Sequence, residues 1–184
     1  SGGRWDCVRE NPPIAAPSTI VISALSGPTN LTAALLANAS DPAPGDTATL
    51  AIAGVFNGST VGSVSVSNGA VFYDPNHQFG FLKPGQTSGD AFMYSVSDQF
   101  GASSIGNVNV LIVAPPVISA TALTNGLYHL HILGTPNATC TVLASTNLIN
   151  WSVIGVATET SPGVFDYYDP AAGHPRNFYR VEFS

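Results

Sequence analysis

The sequence predicts an all-β protein: two tandem immunoglobulin-like β-sandwiches behind an extended N-terminal arm. Three observations predict it. Helical periodicity is nearly absent, short alternating or β-branched runs recur between turn residues, and a proline pair splits the strand series in two. In chain order, the arm is 1–13, where Arg4, Trp5, Cys7, Val8 and Arg9 precede the stop Pro12-Pro13. The first sandwich is expected over 14–114. Its strands are Thr19–Ile22, Val61–Val66, Ala70–Tyr73, Ala91–Val96 and Ser104–Val113, with Gly, Pro and Asn clusters between them. Leu31–Asn38 is the best helical candidate, but it is short and ends at Ser40-Asp41-Pro42, so it reads as a strand or a single turn. The joint is 115–116, since Pro115-Pro116 makes a stiff connector that cannot enter a sheet interior. The second sandwich, 117–184, has strands at Val117–Leu123, Leu127–Leu133, Thr139–Ser145, Trp151–Ala157, Gly163–Tyr168 and Asn177–Phe183.

Composition narrows the function. The chain has 184 residues, and only 9% are charged, against roughly 25% in an average soluble domain. Five basic residues (Arg4, Arg9, Lys83, Arg176, Arg180) face eleven carboxylates, a net charge of -6. No basic face can form, which excludes nucleic acid as a partner. Hydrophobic residues at 45% are enough to fill a core, so disorder is excluded too. Ser, Thr, Asn and Gly stand where charges usually do, and uncharged strand edges resist self-association weakly. That suits either a fragment of modest solubility or a surface built to associate. No run of about 18 apolar residues spans a membrane. The chain begins at Ser1 and shows no signal peptide, so it is expected to be a processed product or an excised segment of a secreted or cell-surface protein.

Two resemblances carry further. Residues from about 14 to 114 resemble the cadherin-like repeats, often called VCBS-type, of bacterial adhesins and other large secreted proteins. The carrying residues are Leu36-Ala37-Asn38-Ala39-Ser40-Asp41-Pro42, Gly45-Asp46-Thr47-Ala48-Thr49-Leu50, Gly62-Ser63-Val64-Ser65-Val66, Val71-Phe72-Tyr73-Asp74-Pro75 and the run Asp90–Asp98. The acidic turn of that family is diluted here to Asp41-Pro42-Ala43-Pro44-Gly45-Asp46. Residues from about 117 to 184 are similar to a small β-domain at the C-termini of large secreted bacterial proteins. There the carrying residues are Thr141–Trp151, Phe165-Asp166-Tyr167-Tyr168-Asp169-Pro170 and Arg176–Val181. That resemblance implies an extracellular fold and supplies no catalytic residues.

Candidate sites follow from residue chemistry. Asp41, Asp46 and Asp98, with Asp74, lie at expected turns and are the candidates for a structural calcium ion. Yet no D-x-D pair occurs, and Asx-turn capping accounts for each aspartate separately. His129 and His131 are two apart and so share a strand face, as paired metal ligands can. Zinc would need more ligands, for which Cys140 and an aspartate are available; an exposed histidine pair is the plain alternative, and no metal centre is assigned. No serine sits in Gly-x-Ser-x-Gly, and Asp166 and Asp169 read as turn residues rather than a catalytic carboxylate pair. The chain is therefore expected to be no enzyme.

Aromatics concentrate in the second sandwich. Trp151 and Phe178 are expected inside, with Tyr167 or Tyr168, and Tyr179, outside where they could stack on a sugar. Among five N-x-S/T triplets, Asn57 and Asn137 fall in expected loops suited to glycosylation. Cys7 and Cys140 suggest a disulfide. A sandwich separates its poles by roughly 35 to 45 Å, whereas Cys7 to Ile14 spans only about 25 Å. An intrachain bond needs the arm to fold back, a head-to-tail bond between copies does not, and free thiols remain the third option. The expected function is a non-catalytic extracellular structural protein. It would be a filament subunit or adhesin stalk whose arm (Arg4, Trp5, Val8) docks on a neighbouring copy, and the alternative is a carbohydrate-binding accessory module.

Overall fold

The computed structural model describes residues 11–43, 46–124, 126–169 and 178–184, and the chain divides into two compact units. The first contains the described residues up to Gly80 and Ser88–Ile112; the second contains Phe81–Thr87 and Val113 onward. Both are built of strands.

In the first unit the chain forms β1 (Ile14–Ala15), β2 (Ser18–Ser23), β3 (Thr29–Asn30), a helix α1 (Thr32–Ala37) and β4 (Ala39–Ser40). A 3-10 turn at Asp46–Thr49 precedes β5 (Ala51–Phe56), β6 (Ser63–Ser67), β7 (Ala70–Asp74), β8 (Thr87–Ser97) and β9 (Ser103–Val113). One sheet has the order β2-β9-β8-β5, a second β3-β7-β6, and β1 pairs with β4. Strict alternation along the long strands builds the core. Phe92, Tyr94 and Val96 on β8, and Val108, Val110 and Ile112 on β9, are buried, while Ala91, Met93, Asn107, Asn109 and Leu111 face out. Val71 and Tyr73 of β7 close that core from the opposing sheet, and the Tyr73 ring stacks on Phe92 at 6.1 Å between centroids.

Leu31–Asn38 is helical rather than extended. Thr32-Ala33-Ala34-Leu35-Leu36-Ala37 is rich in strong helix formers, the Asn30 side chain accepts from the Thr32 amide at 2.9 Å, and fully buried Leu35 anchors the segment. With six residues it is too short to display a helical period.

The second unit holds β10 (Val117–Thr124), β11 (Leu127–Leu133), β12 (Cys140–Ser145), β13 (Ser152–Val156), β14 (Thr158–Ser161), β15 (Val164–Asp169) and β16 (Phe178–Phe183). Its sheets run β10-β11-β15-β14 and β13-β12-β16. These neighbour relations are those of an immunoglobulin-type sandwich, A-B-E-D against C′-C-F. Leu130, Ile132 and Phe165 from one sheet meet Cys140 and Val142 from the other in a buried cluster. Phe81–Thr87 belongs here because Gly85 lies backbone to backbone with Gly134. A Cβ on Gly85 would stand 2.2 Å from the Gly134 carbonyl carbon, and its φ of +77° also requires glycine. Pro115-Pro116 lies between β9 and β10 without strand structure of its own.

Candidate functional site

The outer face of the β10-β11-β15-β14 sheet carries a compact polar constellation. His129 and His131 alternate outward on β11, and register places His131 opposite Asp166 and His129 opposite Tyr168 on β15. Asp166 Oδ1 lies 2.7 Å from His129 Nε2 and 3.0 Å from His131 Nδ1. Its second oxygen accepts from the Thr160 hydroxyl at 3.1 Å. Tyr168 stacks on the His129 ring at 4.5 Å with planes 8° apart. The hydrogen bond with His131 leads in holding the Asp166 carboxyl below the usual carboxylate range; partial burial opposes it, and His129 and Thr160 add to it.

Asp166 was expected in a turn and is mid-strand instead, which is what aims it at the histidines. Among the described residues, two neighbouring hydroxyls bond elsewhere: Thr160 bonds the carboxylate, and the Ser119 hydroxyl bonds the His131 carbonyl at 3.1 Å. His129, His131 and Asp166 form the one group of three His, Cys, Asp or Glu side chains within ligand reach among the described residues. Cys140, named as a companion ligand, is fully buried in the core on the other sheet and is not part of it.

The first unit offers a shallow groove of about 480 Å³, lined by Thr19, Ser59, Val61, Ala91, Asn109 and Leu111 around Asp90. Asp90 is committed elsewhere. Its oxygens accept from the amides of Val61, Gly62 and Ala91 at 2.9 to 3.0 Å and from the Tyr73 hydroxyl at 2.6 Å. Burial pushes its pKa up, but the Tyr73 hydroxyl and the three amides outweigh burial and hold it below the ordinary value.

Residues 10–111, more than half of the sequence, match the family described as "Bacterial Ig domain". The chain belongs to that family. A solved structure described as "Protocadherin Gamma B2 extracellular cadherin domains 1-5" is similar at 12% identity and a TM-score of 0.36, covering 95% of this chain. This chain spans 38% of that one. No curated protein matches.

Within the bacterial Ig domain, the calcium candidates act mainly as turn residues. Asp98 Oδ1 accepts from the Phe100 and Ala102 amides at 2.9 Å, and Asp41 Oδ1 from Ala43 at 2.8 Å. Their Oδ2 atoms are buried without a hydrogen-bond partner. The Asp46 side chain lies outside the described residues, as do Arg4, Trp5, Cys7 and Val8. Asn57 of this domain and Asn137 of the second unit both sit exposed in turns.

The three tyrosines do not make a sugar platform. Tyr168 is 49% exposed, but Tyr167 and Tyr179 turn inward against the second core, donating to the Ile154 carbonyl and to Asp169 at 2.7 and 2.8 Å. Phe178, expected inside, is 37% exposed because alternation along β16 sends Tyr179, Val181 and Phe183 inward. Trp151 is half-buried outside the core, with the Arg180 guanidinium 4.9 Å over its ring. Burial pushes the Cys140 thiol up to about 11, so it is a core thiol rather than a reactive one.

Proposed function

We propose that the chain is a non-catalytic structural module of an extracellular bacterial protein, at the cell surface or secreted, that associates with copies of itself. Membership of the bacterial Ig domain family supports the adhesion-type role. No helix among the described residues is long and apolar enough to cross a membrane. The observation that carries the self-association is β16. It is hydrogen-bonded to β12 on one side and has no strand on the other among the described residues. Such an edge offers a row of backbone donors and acceptors to an added strand, and only Arg180 and Glu182 charge it, as a mutual pair at 2.8 Å.

The added strand in this reading is the 1–13 arm of a neighbouring copy, a heterologous contact that propagates head to tail. A Cys7–Cys140 lock is not part of it. The Cys140 thiol points into the core, and a strand laid on the β16 edge does not reach it. Light scattering and negative-stain microscopy test the reading: the full chain forms concentration-dependent multimers, and the chain without residues 1–13 stays monomeric. A full chain that is monomeric at every concentration would remove the proposal.

Carbohydrate binding is a second reading favoured by one observation, the exposed Tyr168 ring backed by His129. A glycan array positive with the native chain and negative with Tyr168→Ala supports it. Uniformly blank arrays discard it.

A further inference from the structure

The His129, His131 and Asp166 cluster is more than a set of surface hydrogen bonds. Two imidazole nitrogens and one carboxylate oxygen converge on one volume, all within 4.8 Å of one another. In a tetrahedral site with bonds of about 2.0 to 2.1 Å, ligand atoms stand roughly 3.3 Å apart. The observed 2.7 and 3.0 Å separations need to open by a few tenths of an ångström, and rotation of the two rings brings their nitrogens, within 4.8 Å of each other, onto the ion. Strand geometry supplies the placement. Two residues apart on β11 puts both rings on one face, and the β15 register brings the carboxylate between them.

The surroundings are those that steady metal ligands. Thr160 holds the carboxylate's second oxygen, leaving Oδ1 to the site, and Tyr168 fixes the plane of His129. The site is also accessible, because the side chains of His129, His131 and Asp166 are 26%, 38% and 21% exposed. Two nitrogens and one oxygen, with no thiolate, suit a borderline divalent ion rather than a hard one such as calcium.

We propose that His129, His131 and Asp166 form a three-ligand surface site for a divalent first-row transition-metal ion of the zinc type, with its remaining position open to water or an outside donor. Binding displaces the histidine–carboxylate hydrogen bonds. A neutral His129 then carries its proton on Nδ1 and a neutral His131 on Nε2, so the rings change tautomer without net proton loss. A protonated ring releases one proton per ion bound.

The test uses the untagged full chain at neutral pH. Zinc is titrated by calorimetry, cobalt by visible absorption, and histidine tautomers are followed by nitrogen NMR. One zinc per chain is expected, with His129 and His131 signals moving together. Thr160→Ala lowers affinity by about 10- to 100-fold, the usual cost of an outer-shell partner. His129→Ala, His131→Ala and Asp166→Asn each lower it further, whereas His77→Ala leaves it within about twofold. Circular dichroism confirms that each variant is folded, as expected for partly exposed positions. No saturable zinc binding, or binding unchanged in His129→Ala and His131→Ala, overturns the proposal and leaves the cluster as a hydrogen-bonded trio.

Discussion

Asp90 is a side chain on which the first unit's stability should depend heavily. It is 9% exposed and serves four donors at once: the amides of Val61, Gly62 and Ala91 and the hydroxyl of fully buried Tyr73. Asp90→Ala orphans all four. At about 1 to 3 kcal/mol for each buried donor left unpaired, and with losses in one network less than additive, about 3 to 5 kcal/mol is expected. Asp90→Asn keeps one acceptor oxygen but turns an amide NH₂ toward the other two donors, for about 2 to 4 kcal/mol. Tyr73→Phe leaves the three backbone donors in place and costs about 1.5 to 3 kcal/mol, the range for a hydrogen bond to a charged group.

The pH dependence has a fixed sign. The folded carboxyl titrates below its unfolded value. Its contribution is therefore complete above the unfolded pKa of about 4 and lost as pH falls through the folded one. Urea unfolding followed by circular dichroism, resolved into one transition per unit, should show Asp90→Asn lowering only the first unit's midpoint and flattening its acid limb. A double-mutant cycle with Tyr73→Phe should give a coupling above about 1 kcal/mol. Asp90→Asn within about 0.5 kcal/mol of the native chain, with its acid limb intact, would refute the reasoning.

Three other expectations are checked more simply. In a Cys7→Ser background, Cys140 resists a thiol reagent at pH 8 in the native state and reacts at once in denaturant, since burial holds its pKa near 11; fast native labelling would contradict the burial. Gly134→Ala puts a Cβ 2.1 Å from the Phe183 ring and should destabilise the second unit by about 1 to 3 kcal/mol, read from its own unfolding transition. Asp98→Ala removes the acceptor of the Phe100 and Ala102 amides and should lower the first unit's melting temperature; an unchanged melt would contradict the turn-holding role.

Much of the fold was legible because its signals are local. The alternation of Asp90, Phe92, Tyr94 and Val96, and of Val108, Val110 and Ile112, is a period-two pattern that needs no tertiary knowledge, and Pro115-Pro116 marks its own position. What escaped has a tertiary cause. Ala51–Phe56 pairs with β8, but Gly54 sits at a register shift that blurs its alternation. Thr158–Ser161 is a four-residue polar strand recognisable only by its pairing with β15, again across a register shift. Phe81–Thr87 precedes the proline joint yet joins the second unit through the Gly85–Gly134 approach, which two unremarkable glycines do not advertise.

The candidate site was half visible for a similar reason. His129-Leu130-His131 announces two ligands on one strand face from spacing alone, with Leu130 sent to the core between them. The third ligand is set by register, and a one-residue slip of β15 would turn Asp166 inward and Phe165 outward. That slip is forbidden by burial: Phe165 is 1% exposed in the core and packs edge-on to Phe183 at 5.2 Å. The hydrophobic choice at 165 thus fixes the chemistry at 166. The same register delivers Tyr168 to His129, so one buried phenylalanine orders both the carboxylate and the aromatic wall of the site.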